Sequence, residues 1–105
     1  MLFNNAGVCF ADYKYSKQGR EIHNEVNTLA PYIITMELKE LLLQGQKKTI
    51  INTSSNSLLL LKQFDINTVI HPKTIPFKKI IGPYANSKLV LSLWTNGIAS
   101  FVEYI

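Results

Sequence analysis

Two tyrosines in this 105-residue chain are each followed, four residues on, by a lysine: Tyr13 and Lys17 in "YKYSK", Tyr84 and Lys88 in "YANSK". On a helix, side chains four apart share one face. A phenol beside an ammonium is a candidate proton-transfer pair. A tyrosine hydroxyl ordinarily titrates at about 10, too high for efficient proton transfer at neutral pH. A lysine one turn away stabilises the phenolate and lowers that value. The chain holds ten lysines, so one such spacing means nothing by itself, and the surroundings of each pair must decide. The other reactive side chains offer less. Cys9 is the sole cysteine, lies in an apolar stretch and reads as a buried thiol, without a disulfide framework. His23 and His71 are far apart, with no Cys or acidic partner at ligand spacing, so no metal site is expected.

The elements that must position these residues follow from patterning. "MLF" is a short apolar run ended by the turn-rich "NNAG", and predicts the tail of a buried strand. "GVCFADYKYSKQG" reads as a loop. From about Ser16, apolar residues at Ile22, Val26, Leu29, Ile33, Met36, Leu41 and Leu42 follow near-helical spacing. Gly19 weakens the first turn, Pro31 should kink the helix near its middle, and Gly45 fits its stop. Thr49-Ile50-Ile51 predicts a second buried strand. From Asn56 to Pro83 the pattern is irregular, with Pro72, Pro76 and Pro83 as breakers, and reads as a long loop of the kind that tends to be functional. From Tyr84 a helix resumes, apolar nearly all round and capped early at Asn96-Gly97. Strand, helix, strand, loop, helix is the order of an α/β protein with a parallel sheet.

Composition agrees with one globular domain: 47% hydrophobic and 17% charged residues exclude a disordered chain. The net charge of +4 includes only the dibasic pairs Lys47-Lys48 and Lys78-Lys79, which read as solvated surface, so no nucleic-acid partner is expected. The longest apolar run, Leu58 to Leu61, is too short to cross a bilayer. "MLFNNAG" has no basic segment before an apolar one, so no signal peptide is expected and a cytoplasmic location is.

Taken in order, "LFNNAGV", "EVNTLAPYIIT", "TIINTSS" and "YANSKLVLSLWTNGIA" resemble the short-chain dehydrogenase/reductase family across nearly the whole chain. The long spacer before Tyr84 and the "SKL" after it are similar to the retinol-dehydrogenase-like branch. The resemblance implies a partial Rossmann-type, NAD(P)-binding parallel sheet with flanking helices. Residues 1–105 would be the central catalytic segment of that single domain, a fragment lacking the first strands and the C-terminal strands. It selects Tyr84 and Lys88 over the upstream pair, because the family's tyrosine heads the helix after its serine. By the same resemblance Ser55 would bind and polarise the substrate oxygen, and Lys88 would also hold the cofactor ribose. Asn27 would support a water-mediated proton relay to the lysine. Asn4, Asn5, Ala6 and Gly7 would pack beside the adenosine half of the cofactor, NADP or NAD. Without the resemblance, Ser54 and Ser55 read equally as strand-end caps, and Asn27 as an ordinary exposed helix residue.

No Gly-x-x-x-Gly-x-Gly turn precedes "NNAG", and such a turn is where the family holds the dinucleotide pyrophosphate. The expectation is an oxidoreductase segment for a small lipophilic carbonyl or alcohol, inactive by itself. The alternative is a non-catalytic partner of a full-length relative, forming a homo- or heterodimer through the helices that hold Asn27 and follow Tyr84, or an unstable gene remnant.

Overall fold

The computed structural model describes residues 1–12, 14–57 and 82–102, the side chains of 100–102 excepted. Tyr13, Leu58 to Leu61, His71, Pro72, Pro76, Lys78-Lys79 and most of the long loop expected over Asn56 to Pro83 lie outside the described residues.

Two strands, β1 (Leu2–Asn4) and β2 (Ile50–Asn52), pair in parallel with Leu2 opposite Ile50, Phe3 opposite Ile51 and Asn4 opposite Asn52. The Leu2 N–H donates to the Thr49 carbonyl at 2.9 Å and the Thr53 N–H to the Asn4 carbonyl at 3.1 Å, extending the ladder at both ends. Each strand lies one residue later than the apolar runs indicate, because Asn4 and Asn52 belong to the sheet. Among the described residues the strands are covered on one face. Alternation sends Leu2, Asn4, Ile50 and Asn52 toward the helices, and leaves Phe3 61% and Ile51 36% exposed on the other side.

A parallel pair needs a crossover, and residues 22–44 supply it. This helical stretch starts at Ile22 rather than Ser16. Gly19, at φ +78°, closes a turn in which its N–H reaches the Ser16 carbonyl at 2.9 Å, so the chain is still turning there. Tyr15 then bridges Glu21 in antiparallel fashion, and Glu21 caps the helix by accepting the Asn24 N–H at 3.0 Å. The run comprises α1 (Ile22–Asn24), a π turn (Glu25–Leu29), α2 (Ala30–Glu37) and α3 (Lys39–Gln44). Pro31 expresses itself through the π turn just upstream, where the Ala30 N–H reaches back to the Glu25 carbonyl. Proline has no N–H to give, and its ring collides with the carbonyl four residues back in a regular helix. A wider turn relieves that collision. Leu38, at φ −94° and ψ 1°, separates α2 from α3, and Gly45 caps α3 in an extended conformation.

Helix α4 (Gly82–Val102) runs 21 residues with Pro83 in its first turn, where the missing N–H costs nothing. It does not stop at Asn96-Gly97. One exposed glycine in a helix interior costs about 1 kcal/mol, less than a long packed helix supplies. Among the described residues no helix is long and apolar enough to cross a membrane. The architecture is a small α/β unit, compatible with part of a Rossmann-like fold.

The seam between the helices and the sheet is polar. Asn4 Nδ2 donates to Thr35 Oγ1 on α2 at 3.2 Å and to Asn52 Oδ1 at 2.8 Å. Asn52 Nδ2 donates to Thr95 Oγ1 on α4 at 2.8 Å, and Thr95 donates to the Leu91 carbonyl at 2.6 Å. Across the helices, Trp94 Nε1 donates to Thr28 Oγ1 at 3.0 Å, and the Trp94 and Tyr32 rings meet edge to face at 5.5 Å. This seam ties both helices to both strands. Replacing Asn4 by Ala should lower unfolding stability by about 1–3 kcal/mol, since Thr35 and Asn52 lose their partner inside the protein. Urea unfolding at fixed m-value measures it, and a change near zero would show that the ladder carries no stability.

Candidate active site

Lys88 is the least ordinary residue of α4. It is charged, yet only 3% exposed. Its Nζ donates to the main-chain carbonyl of Thr53, the residue directly after β2, at 2.8 Å. This bond ties the carboxyl end of β2 to the first turns of α4. Burial pushes the Lys88 ammonium below the ordinary lysine pKa. One turn upstream, the half-buried Tyr84 ring has its centre 5.9 Å from Nζ. The sequence spacing of four is thus realised on a helix, with the cation fixed and the phenol beside it. The Tyr13–Lys17 pair differs: Lys17 is exposed and Tyr13 lies outside the described residues.

Asn27, read alone as an exposed helix residue, is wholly buried. It sits in the π turn with its amide aimed at the loop after β1. Oδ1 accepts the Val8 N–H at 2.8 Å, and Nδ2 donates to the Val8 carbonyl at 2.9 Å and to Ser87 Oγ at 3.1 Å. Ser87 in turn donates to the Tyr84 carbonyl at 2.7 Å. Gly7 lies over this junction. A Cβ there would stand 3.2 Å from Asn27 Oδ1 and 3.4 Å from Lys88 Nζ. The structure therefore gathers Gly7, Asn27, Lys88 and Tyr84 in one place.

The remaining expected residues are placed differently. Asn5 Oδ1 accepts the Thr53 hydroxyl at 2.8 Å, which ties the turn after β1 to the residue whose carbonyl holds Lys88. Ala6 is exposed. Asn4 faces the helices, with its amide engaged by Thr35 and Asn52. The two serines after β2 divide. Ser54 Oγ lies 2.7 Å from Ser92 Oγ, whose own proton goes to the Lys88 carbonyl at 2.9 Å, so Ser54 is the donor to α4. Ser55, half-buried, accepts the Ser57 N–H at 3.1 Å, a bond that leaves its hydroxyl proton free to be directed elsewhere.

Several contributors escape a reading of residue types. Thr53 acts through a carbonyl that any residue would provide. Ser87 reads only as part of a Tyr-x-x-x-Lys spacer, although it is the link between Asn27 and Tyr84. Cys9 is exposed, not buried: the segment alternates, with Val8 and Phe10 turned inward and Cys9 outward. His23 does have an acidic partner, Glu21, whose Oε1 lies 2.6 Å from His23 Nδ1. The spacing of two was the available signal.

Over 101 residues the chain is 34% identical to dehydrogenase/reductase SDR family member FEY of Arabidopsis thaliana, an alignment covering 91% of this chain and 26% of that protein. That similarity supports membership of the short-chain dehydrogenase/reductase family. The chain spans about a quarter of the length of that relative. No protein-family model matches the chain, and no solved structure does.

Lys88 is a residue whose burial works against stability. Burying an ammonium whose hydrogen bond among the described residues is to one carbonyl disfavours the charged form. Lys88→Met should therefore leave unfolding stability unchanged or raise it by up to about 2 kcal/mol. The sign with pH follows. Between its lowered folded value and the ordinary 10.5, the unfolded state binds the proton more strongly. Wild-type stability relative to Lys88→Met should rise as pH climbs through that window. Denaturant melts at several pH values check it, and a large loss of stability in Lys88→Met at neutral pH would refute it.

Proposed function

We propose that this chain carries the proton-transfer centre of an NAD(P)-dependent oxidoreductase that interconverts a carbonyl and its alcohol. The observation that carries the proposal is the buried Lys88 ammonium, held by the Thr53 carbonyl one turn from Tyr84. An unfavourable charge kept at such a place has a task, and stabilising a phenolate is the task nearest to hand.

In this reading the Tyr84 hydroxyl gives its proton to the substrate oxygen on reduction and takes it back on oxidation. Lys88 stabilises the phenolate that results. Ser55 donates its hydroxyl proton to the same substrate oxygen and spreads its developing charge. Ser54, committed to Ser92, has no such part. Because the Asn27 amide is engaged by Val8 and Ser87, any share in a proton relay toward Lys88 falls to its main-chain carbonyl. That carbonyl's α-helical partner would be Pro31, which has no N–H.

A nicotinamide cofactor, NADP or NAD, supplies the hydride chemistry when bound. Gly7 fits such a group, because even a Cβ there would stand 3.2 Å from Asn27 Oδ1 and fill the space beside Lys88 Nζ, 3.4 Å away. The residues of this chain that would hold it are Tyr84, Lys88 and the turn Asn5 to Gly7, with Asn4 anchoring that turn from behind. The lipophilic substrate rests on the resemblance of Ser87-Lys88-Leu89 and the preceding spacer to the retinol-dehydrogenase-like branch.

The test uses the full-length protein with NADPH or NADH and a panel of lipophilic aldehydes and ketones. Tyr84→Phe should lower kcat about 10²–10⁴-fold with cofactor affinity retained. Ser55→Ala should cost about 10²-fold and Ser54→Ala little. Turnover preserved in Tyr84→Phe sinks the proposal.

A dimer through these helices is supported by apolar side chains left exposed on α2, at Tyr32, Ile33, Ile34 and Met36, and by Leu93, 54% exposed on α4. Light scattering on the full-length protein should give a dimer that Ile33→Glu weakens. A monomer at all concentrations removes that partner.

A further inference from the structure

The loop after β1 is gripped twice by the helical stretch, and only one grip belongs to the site described above. His23 and Asn27 are four residues apart and face the same way. Val8 and Phe10 are two apart in an extended segment. The hydrogen bonds show that the two spacings match. Asn27 holds both polar groups of the Val8 backbone. His23 Nε2 accepts the Phe10 N–H at 2.8 Å. Two helix side chains thus do for this segment what a neighbouring strand does in a sheet.

The second grip demands one tautomer. An imidazole nitrogen that accepts an amide N–H carries no proton, so the His23 proton sits on Nδ1. There it meets Glu21 Oε1 at 2.6 Å. The other carboxylate oxygen, Oε2, accepts the Asn24 N–H at the helix start, which fixes the carboxylate in turn. His23 is fully buried and Glu21 is 6% exposed. The Phe10 ring lies edge-on to the imidazole at 5.8 Å, with Lys14 Nζ 4.3 Å from the ring centre on the loop side. Burying a carboxylate carries a desolvation cost, and a glutamine could accept one amide more cheaply than this pair does. What the pair adds is direction. The carboxylate keeps Nε2 an acceptor and holds the ring where Phe10 must come to it.

We propose that Glu21 and His23 form a tautomer-locked latch that positions the Val8–Phe10 segment, and through it seats Gly7 against Lys88. Val8 is held at its own backbone by Asn27, Phe10 by His23, and Gly7 is the next residue back along the same chain. Freeing Phe10 loosens one end of this clamp, lets Gly7 withdraw and admits water to the Lys88 ammonium. His23 is a positioning residue, since it acts through the loop and not on a substrate. Its bearing on catalysis rests on the function proposed above for Tyr84 and Lys88, whereas the latch itself does not.

The experiment uses the full-length protein, with ¹⁵N-histidine and ¹³Cε-lysine labels and amide hydrogen exchange at Val8 and Phe10. The imidazole of His23 should show protonated Nδ1 and bare Nε2. In His23→Phe the Phe10 amide should exchange about tenfold faster or more, as loss of one hydrogen bond implies, and Val8, the link to Gly7, should lose part of its protection. The Lys88 titration should move up toward the ordinary lysine value in the same variant. His23→Gln, whose side-chain oxygen can accept the same N–H, should restore both readings. If His23→Phe does not fold, Glu21→Gln carries the test: it should admit the other tautomer and speed Phe10 exchange. A proton on Nε2 in the wild type, or Phe10 exchange unchanged in the variants, overturns the latch. A freed Phe10 with an unmoved Lys88 titration reduces it to a local staple and overturns the positioning role. None of these readings requires turnover, so they stand or fall apart from the role of Tyr84.

Discussion

The amide of Asn27 is the constraint to which the other parts of the site are indexed. A buried primary amide must have its donors and acceptor met, and here the partners come from the loop after β1 and from α4. Three separate pieces of chain are thereby fixed by one side chain. The loop cannot slide without breaking two bonds, and α4 cannot rotate without losing Ser87. Because Ser87 also holds the Tyr84 carbonyl, the head of α4 is set by a residue sixty positions upstream. The π turn that carries Asn27 belongs to the same arrangement. It places the amide at the loop while accommodating Pro31 just downstream.

The buried seam is unusual in kind as well as in detail. Among the described residues, Ala85 and Leu91 are the buried hydrophobic side chains, whereas Asn4, Glu21, His23, Asn27, Thr28, Thr35, Ser87 and Lys88 are buried polar ones. Apolar packing tolerates small shifts, but a hydrogen-bonded seam does not, since each displaced group loses a directional partner in a low dielectric. The chain therefore holds its helices to its sheet by specificity more than by area. Lys88 fits this setting, because a seam already organised to satisfy polar groups can hold an ammonium, here through the Thr53 carbonyl.

How much of this was legible depended on whether a residue acts through its type or through its backbone. Leu2-Phe3 and Ile50-Ile51 showed where the strands are, yet not their last residues, because Asn4 and Asn52 look like turn formers and are sheet residues. Gly19 and Glu21 set the helix start by a left-handed turn and a cap, which apolar periodicity does not register. Pro31 signalled a disturbance without revealing that it would be a π turn. Gly97 suggested a stop that a long helix overrides. At the site, the Tyr84–Lys88 spacing was readable because it is written in side-chain types, and the helix brings the two together. The Thr53 carbonyl was not, and the partnership of Glu21 with His23 was hidden by a search for metal-ligand spacing. Cys9 was misread because an apolar neighbourhood in sequence is not a buried one when the chain alternates.

The parallel pairing of β1 with β2 has a bearing on how the chain folds. Asn4 and Asn52 are 48 residues apart, and each strand is three residues long. Closing so wide a loop costs chain entropy before any long-range contact returns it. Three-residue strands cannot meet that cost by themselves. The helical stretch between them must shorten the effective distance first, its turns forming locally and fast. The strand pair, and the Lys88 anchor that depends on the end of β2, would then be the last features to assemble and the first to dissolve. Any chemistry at Lys88 would therefore report on the completeness of folding, and on nothing earlier.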